Sequence, residues 1–257
     1  MNVTSIPCLR DNYAYLVVCK ETNQAGIVDP SEAGPVLRAV QRSGADLVAI
    51  LNTHHHWDHI GGNKELLQRY PSLKVYGHGS DKGRIDGQTQ FLEAGESFAL
   101  GKLEVRVLHN PGHTTGAVSY VIEDCVFTGD TMFAAGCGRL FEGTPQMMYD
   151  SLCKVIGGLP RQTKVYFGHE YTENNLRFAA KLEPDNTAVA TKLGAARKQR
   201  SEGEFTTPST LADEWSTNPF MRVDSATIQA AVKLADPSND LSPVNVLGVV
   251  RGMKDRF

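Results

Sequence analysis

The sequence predicts an α/β fold with sheets at its centre, followed by a helical C-terminal region, and three observations lead to this. Short apolar runs rich in β-branched residues recur through the first two thirds of the chain, bounded by Gly, Pro or Asp. Stretches compatible with helices lie between these runs. After about residue 172 the composition changes to Ala, Leu, Lys and Arg at helical spacings.

Eight segments are predicted as strands, with helix-compatible stretches at 33–42, 63–70 and 146–157 between them. In LEVRVL, residues 103–108, apolar and charged side chains alternate, so we expect one face of that strand to meet solvent. The eight segments are YAYLVV (13–18), AGIVD (25–29), LVAILN (47–52), KVYG (74–77), LEVRVL (103–108), AVSYVI (117–122), CVFTGD (125–130) and KVYFGH (164–169).

The C-terminal region is predicted to be helical, so we divide the chain into a domain of residues 1–172 and a helical domain of residues 173–257. A segment between the helices, residues 203–222, is expected to be a loop because Pro208 and Pro219 would break a helix, with the next helix beginning near Asp224. The predicted helical segments are 173–184, 187–203, 225–235 and 244–254.

Composition narrows the function classes. The 26 Lys and Arg nearly balance the 29 Asp and Glu, so bulk charge gives no reason to expect nucleic acid or a membrane as partner. Five widely spaced cysteines indicate reduced thiols rather than a disulfide framework. The N-terminus does not have the pattern of a secretory leader, and no apolar segment of ~18 residues occurs. We expect a cytoplasmic monomer acting on a small molecule.

The stretch NTHHHWDHIGGN, residues 52–63, places four histidines and an aspartate within six consecutive positions. Neutral imidazoles beside a carboxylate are preferred ligands of divalent cations. Side chains on one helix converge only at spacings of three or four residues, so a loop is expected to fold these residues around a centre. Further candidates follow in Gly-containing turns. The candidate ligands are His54, His56, Asp58, His59, His113, Asp130 and His169.

Five histidines and two aspartates exceed the three or four protein ligands that one metal needs, so two divalent ions are predicted. His54, His56 and His113 would hold one, and Asp58, His59 and His169 the other. Asp130 would bridge the two at the ~3.5–4 Å separation of two-metal sites. Asp29, at a strand end, is expected either to orient a ligand histidine or to cap a turn. The histidines expected to be structural or exposed are His55, His78 and His109.

These residues resemble a known family. THHHWDH is similar to the T-H-x-H-x-D-H signature of the metallo-β-lactamase superfamily, and His113, Asp130 and His169 follow in the order that superfamily uses. The resemblance to the glyoxalase II family, the hydroxyacylglutathione hydrolases, covers nearly the whole chain. It includes IPCLRDNYAYLV, CGRLFEGT, GHEYT, TPSTLADEWSTNPFMR and RGMKDRF.

The resemblance implies an αββα metallo-β-lactamase sandwich (residues 1–172) with a C-terminal α-helical domain (173–257) that helps bind glutathione. It implies a binuclear metallohydrolase, with zinc as the first expectation and iron or manganese as alternatives. The reaction would be hydrolysis of S-D-lactoylglutathione to D-lactate and glutathione, the second step of methylglyoxal detoxification. A metal-bridged hydroxide, held near Asp58 and Asp130, would be the nucleophile.

The resemblance also implies which side chains bind the glutathione moiety. Arg and Lys suit the two carboxylates of the tripeptide. Some family members have Tyr in place of Phe141, so a hydrogen bond to the tripeptide is expected to be missing in this chain. The implied substrate-binding residues are Arg139, Phe141, Tyr171, Arg251 and Lys254.

Three alternatives stay open from the sequence. A superfamily branch that oxidises glutathione persulfide with a single iron needs fewer ligands than this chain offers. A nucleic-acid-binding protein would rest on ARKQR, residues 196–200, which is more typical of a solvated helix face. A metal-free interaction module on the same fold would be expected to have lost ligands, and all seven are present.

Overall fold

The computed structural model describes residues 1–257 and confirms the predicted α/β architecture. Fourteen strands form two six-stranded sheets and one two-stranded ribbon. All eight predicted strand segments are strands in the structure. The strands are β1 Asn2–Cys8, β2 Asn12–Val18, β3 Gln24–Val28, β4 Asp46–Leu51, β5 Lys74–His78, β6 Gln90–Leu92, β7 Ser97–Leu100, β8 Leu103–His109, β9 Val118–Ile122, β10 Cys125–Gly129, β11 Met132–Phe133, β12 Gly136–Cys137, β13 Lys164–Phe167 and β14 Ser209–Thr210.

Nine α-helices accompany the sheets, and each predicted helical segment contains one. Their bounds are α1 Ala33–Ser43, α2 Trp57–Ile60, α3 Asn63–Arg69, α4 Pro145–Tyr149, α5 Thr172–Leu182, α6 Thr187–Ser201, α7 Leu211–Thr217, α8 Ala226–Ala235 and α9 Pro243–Asp255. A 3-10 turn spans Gly79–Asp81, and α4 continues as a π-helix over Asp150–Ile156. No helix is long and apolar enough to cross a membrane.

Two expectations about irregular segments were wrong. The histidine-rich stretch is not a loop throughout, because α2 forms one helical turn that carries Asp58 and His59. The segment 203–222 contains α7, where Thr210 caps the helix by accepting a hydrogen bond from the backbone N–H of Asp213. The two prolines flank this helix rather than interrupt it, so they do not oppose its formation.

The first sheet has the strand order β1-β2-β3-β4-β5-β6, and the second the order β14-β13-β10-β9-β8-β7. In the first sheet β1 to β3 pair antiparallel, whereas β3 to β6 pair parallel. Parallel strands end at one edge of a sheet, so the residues after β3, β4 and β5 emerge at the same edge. The histidine-rich stretch directly follows β4.

Aromatic rings fill the space between the two sheets. Tyr76 of β5 stacks on Phe98 of β7 with ring centroids 3.9 Å apart, and Tyr15 of β2 lies 5.6 Å from Phe127 of β10. The Tyr15 hydroxyl is satisfied there because it donates to the backbone oxygen of Phe167 at 2.6 Å. The two sheets therefore pack against each other through these rings, and this packing fixes the positions of the strand ends.

The chain divides into two compact units. The first comprises residues 1–109, 116–129 and 166–169, and the second comprises residues 110–115, 130–165 and 170–257. An apolar core under α1 belongs to the first unit, and a smaller one, between α5 and α6, belongs to the second. The boundary expected at residue 172 stays a prediction.

Candidate metal centre

In the first unit, three predicted ligands lie together. Asp58 and His59 stand on α2, and His169 follows β13. Asp58 Oδ2 lies 3.4 Å from His169 Nε2 and 3.8 Å from His59 Nε2. Their ligand atoms all lie within 4.8 Å of one another, close enough to share an ion. Asp58 and His59 are consecutive on α2, and His169 approaches them from the end of β13.

A carboxylate contacts the Nδ1 atom of both His59 and His169. Asp29 Oδ2 lies 3.0 Å from His59 Nδ1, and Asp11 Oδ1 lies 2.9 Å from His169 Nδ1. An ionised carboxylate can only accept a hydrogen bond, so Nδ1 of each histidine carries the hydrogen. Nε2 then keeps the lone pair that a metal needs. Asp29 thus contacts a candidate ligand histidine, and its two expected roles, orienting that histidine or capping a turn, stay predictions.

Asp29 also organises His54 through Thr53. The carboxylate accepts hydrogen bonds from the backbone N–H and the hydroxyl of Thr53, each at 2.7 Å. Because that hydroxyl hydrogen is used, the hydroxyl oxygen must accept from His54 Nδ1 at 3.0 Å. His54 Nε2 then keeps its lone pair and lies 3.1 Å from His56 Nδ1. Asp29 adopts a φ of +46°, a conformation that Asp tolerates better than most residues.

In the second unit, His113 and Asp130 form the remaining part of the predicted ligand set. His113 Nε2 lies 3.6 Å from Asp130 Oδ2, and His113 Nδ1 donates to the backbone oxygen of Arg139 at 2.8 Å. The Nε2 atom is thus the lone-pair nitrogen, as in His59 and His169. A Cβ at Gly138 would lie 2.2 Å from the backbone oxygen of Asp130, so only glycine allows this close approach.

The donor set fits divalent metal ions. Around a tetrahedral zinc ion with bonds of ~2.0–2.1 Å, neighbouring ligand atoms lie about 3.3 Å apart. The separations between candidate ligand atoms within each unit, 3.1, 3.4, 3.6 and 3.8 Å, lie around this value. Imidazole nitrogens and carboxylate oxygens also suit iron and manganese. The donor chemistry therefore fits a metal without selecting one.

The chain resembles known proteins over its whole length. Residues 9–185 match the metallo-beta-lactamase superfamily, and residues 170–257 match the family described as hydroxyacylglutathione hydrolase C-terminus. A hydroxyacylglutathione hydrolase of Synechococcus sp. (strain JA-2-3B'a(2-13)) is 48% identical, with both chains covered completely. The chain belongs to the hydroxyacylglutathione hydrolase family. A relative from Arabidopsis thaliana, named hydroxyacylglutathione hydrolase cytoplasmic, is 43% identical over 100% of this chain and 99% of its own.

A solved structure has a similar fold. TTHA1623, crystallised in a di-iron-bound form, superposes with a TM-score of 0.61 at 26% identity and covers 86% of this chain and 100% of its own. The αββα metallo-β-lactamase fold with a helical C-terminal region, expected from the sequence, is thereby confirmed. As a member of the hydroxyacylglutathione hydrolase family, the chain is a metallo-β-lactamase superfamily hydrolase.

The residues that the family resemblance assigns to glutathione lie in the second unit. Arg251 is buried in α9, where it donates to the backbone oxygen of Cys137 at 2.7 Å and packs over the ring of Phe220. Arg251 Nη2 also lies 3.1 Å from Asp255 Oδ1, an atom that Arg139 Nε approaches to 3.4 Å. Asp255 therefore connects two of the cations expected to bind substrate carboxylates.

Lys254 stands between aromatic rings at the end of α9. Its Nζ lies 5.5 Å from the ring centre of Phe178 and 5.0 Å from that of Phe257, and it contacts Asn174 Oδ1. Burial, followed by the charges of Arg251 and neighbouring Arg177, lowers the pKa of Lys254 to about 8. This lysine can therefore lose its charge in mildly alkaline solution.

The two aromatic residues of the predicted set are exposed. Phe141 is 62% exposed and its ring lies 5.3 Å from that of His113. Tyr171 is 38% exposed and its ring lies 5.4 Å from that of Phe133. Their substrate-binding roles stay predictions.

Sequence reasoning missed Asp11 and Asn12. Asn12 donates to the backbone oxygen of Asp58 at 3.0 Å and to its Oδ2 at 3.1 Å. Both residues lie in IPCLRDNYAYLV, which was quoted for the family resemblance but not as part of the site. A signal was present in the pair Asp-Asn at the start of an apolar strand, a place where polar residues commonly serve a site at the strand end.

Proposed function

We propose that the chain hydrolyses S-(2-hydroxyacyl)glutathione thioesters, with S-D-lactoylglutathione as substrate and D-lactate and glutathione as products. The observation that carries this proposal is the group Asp58, His59 and His169, whose ligand atoms lie within 4.8 Å of one another. The names of relatives 43–48% identical over the full chain support the choice of substrate. The reaction would be the second step of methylglyoxal detoxification.

Two divalent ions per chain would be held by the seven predicted ligands, zinc being the first choice. His54, His56 and His113 would hold one ion, Asp58, His59 and His169 the other, and Asp130 would bridge them. Bound ions supply Lewis acidity, which lowers the pKa of a water from 15.7 toward ~7 and polarises a carbonyl oxygen. The di-iron form of the related structure supports two ions.

The chain's own groups position the reactants. Asp58 and Asp130 are the proposed catalytic carboxylates, because they are the two ligand side chains that can accept a hydrogen bond from the attacking water. Water would give a proton to one of these carboxylates, and from there to solvent, as its oxygen adds to the thioester carbonyl. The C–S bond then breaks, the acyl group is released as the 2-hydroxy acid, and glutathione leaves as a thiolate. A thiol pKa of ~8.5 makes the glutathione thiolate a good leaving group without a dedicated acid.

The tripeptide would be held by the cations and aromatic residues of the second unit. Arg139, Arg251 and Lys254 would bind its carboxylates, Tyr171 would donate a hydrogen bond, and Phe141 would offer only apolar contact. The name of the Arabidopsis relative supports a cytoplasmic location, and we expect a monomer without nucleic-acid or membrane partners.

One experiment tests the reaction and the ions together. Steady-state hydrolysis of S-D-lactoylglutathione would be measured on the same sample in which zinc, iron and manganese are quantified. The proposal expects close to two metal ions per chain and turnover that is lost on chelation and restored by added metal. Full turnover in metal-free protein, or no turnover with two ions bound, would exclude it.

A further inference from the structure

A fully buried carboxylate, Asp81, lies outside the predicted ligand set. It ends the 3-10 turn that follows β5, and none of its surface is exposed. Its Oδ1 lies 3.2 Å from His55 Nδ1 and 3.4 Å from Arg84 Nη1, whereas its Oδ2 has no hydrogen-bond partner. Burying a carboxylate is costly unless opposite charge or proton donors surround it. The contacts with His55 and Arg84 therefore offset the cost of burying the Asp81 carboxylate.

Arg84 closes the contact into a ring of three side chains. Its Nη2 contacts His55 Nε2, and a guanidinium can only donate, so Nε2 must accept. The ring hydrogen of His55 then stands on Nδ1, the atom that faces the Asp81 carboxylate. His55 is thus contacted by Arg84 at Nε2 and has the Asp81 carboxylate 3.2 Å from Nδ1.

The position of Asp81 is fixed from two further directions. Its backbone oxygen accepts hydrogen bonds from the N–H groups of Arg84 at 2.8 Å and Ile85 at 3.3 Å. On the other side, a Cβ added to Gly116 would lie 2.6 Å from the carboxylate atoms, so the backbone there packs directly on Asp81. These backbone contacts therefore fix the position of the Asp81 carboxylate beside His55.

We propose that Asp81 and Arg84 brace His55 and thereby position the backbone of residues 54–56 for metal binding. The brace rests on the proposed metal site. His54 and His56 are the flanking ligands, with His54 Nε2 and His56 Nδ1 only 3.1 Å apart. Without the brace, this backbone would have to be ordered when the ion binds, at a cost in conformational entropy. Asp81, Arg84 and His55 are positioning residues and touch neither substrate nor ion.

The test is the zinc affinity of metal-free protein, measured by competition with a chromogenic chelator. Arg84→Gln and His55→Leu should each raise the dissociation constant of one ion by about tenfold, in the range found when groups that support metal ligands are removed. His55→Asn keeps a donor near the position of Nδ1 and should cost less. Arg106→Gln, an exposed arginine on β8, is the matched control and should bind zinc as the unaltered chain does.

Thermal unfolding of the metal-free variants separates positioning from folding. The brace predicts that Arg84→Gln unfolds within a few degrees of the unaltered chain while its zinc affinity falls. Equal zinc affinity in Arg84→Gln and the control would overturn the brace. So would a loss of affinity matched by a general loss of stability. If the unaltered chain binds no zinc, iron or manganese, the proposed metal site is wrong and the brace with it. If His55→Leu does not fold, Arg84→Gln alone decides, because its side chain is 39% exposed.

Discussion

Asp29 Oδ2 lies 3.0 Å from His59 Nδ1, and both side chains are almost completely buried. The same carboxylate accepts two hydrogen bonds from Thr53, whose hydroxyl in turn orients His54. One buried carboxylate thus sets the tautomers of histidines assigned to two different ions. We therefore expect metal binding to be sensitive to the side chain at position 29.

Asp29→Ala should weaken metal binding by about 10–100-fold and lower thioester hydrolysis with it, because two ligand histidines lose their orientation. Asp29→Asn keeps the shape and one acceptor oxygen and should fall between Ala and the unaltered chain. Metal content after dialysis against a chelator, measured beside turnover, checks this. Normal metal retention in Asp29→Ala would show that the carboxylate only caps the turn after β3.

Asp58→Ala or His59→Ala should lower turnover by orders of magnitude and reduce the occupancy of one ion, since both are assigned to the same ion.

Asp130→Asn should be more damaging, because a neutral amide compensates the mutual repulsion of two cations less well than a carboxylate. Both ions should then weaken together. Loss of a single ion from Asp130→Asn would identify Asp130 as a terminal ligand instead of a bridge.

Substitution of Arg251 and of Lys254 should have different effects on stability, although both residues are expected to bind the tripeptide. Lys254→Ala should raise KM for the glutathione thioester about tenfold with little change in kcat, because the carboxylates it would hold are the same in ground and transition states. Arg251→Ala should also lower Tm, by roughly 5 °C or more, since it removes charged hydrogen bonds from a buried group. A small thioester lacking the tripeptide serves as control and should be hydrolysed normally by Lys254→Ala.

Binding of the tripeptide should weaken as the pH rises through about 8, the value to which burial lowers the pKa of Lys254. Below that pH the ammonium is charged and can attract a carboxylate; above it the amine is neutral and the attraction is lost. KM measured from pH 7 to 9.5, corrected for spontaneous thioester hydrolysis, should therefore rise. Lys254→Arg stays protonated throughout and should abolish this rise. An identical pH profile in that variant would assign the titration to another group.

Much of the fold could be predicted because it depends on local patterns. Alternation in LEVRVL and the β-branched runs near it are properties of consecutive residues, and each became a strand. Six strands were not predicted. The seven-residue strand β1 was missed, and it contains Pro7, a residue that is depleted in strands. The strands β6, β7, β11, β12 and β14 have two to four residues, too few to show a period. Helix α2 was missed for the same reason, since a single turn of four residues has no repeating apolar face.

The sequence by itself determined which residues could bind metal, because ligand chemistry belongs to the side chain and the HHHWDH spacing is local. Only the tertiary structure decided which residues contact and orient these candidate ligands. His169 and Asp11 are separated by 158 positions in the chain, and a bridge between Asn12 and His169 brings them together. Arg251 belongs to a terminal segment that would be read as solvated, yet its guanidinium is buried against the backbone of Cys137. Such pairings depend on the meeting of distant segments, which residue spacing does not encode.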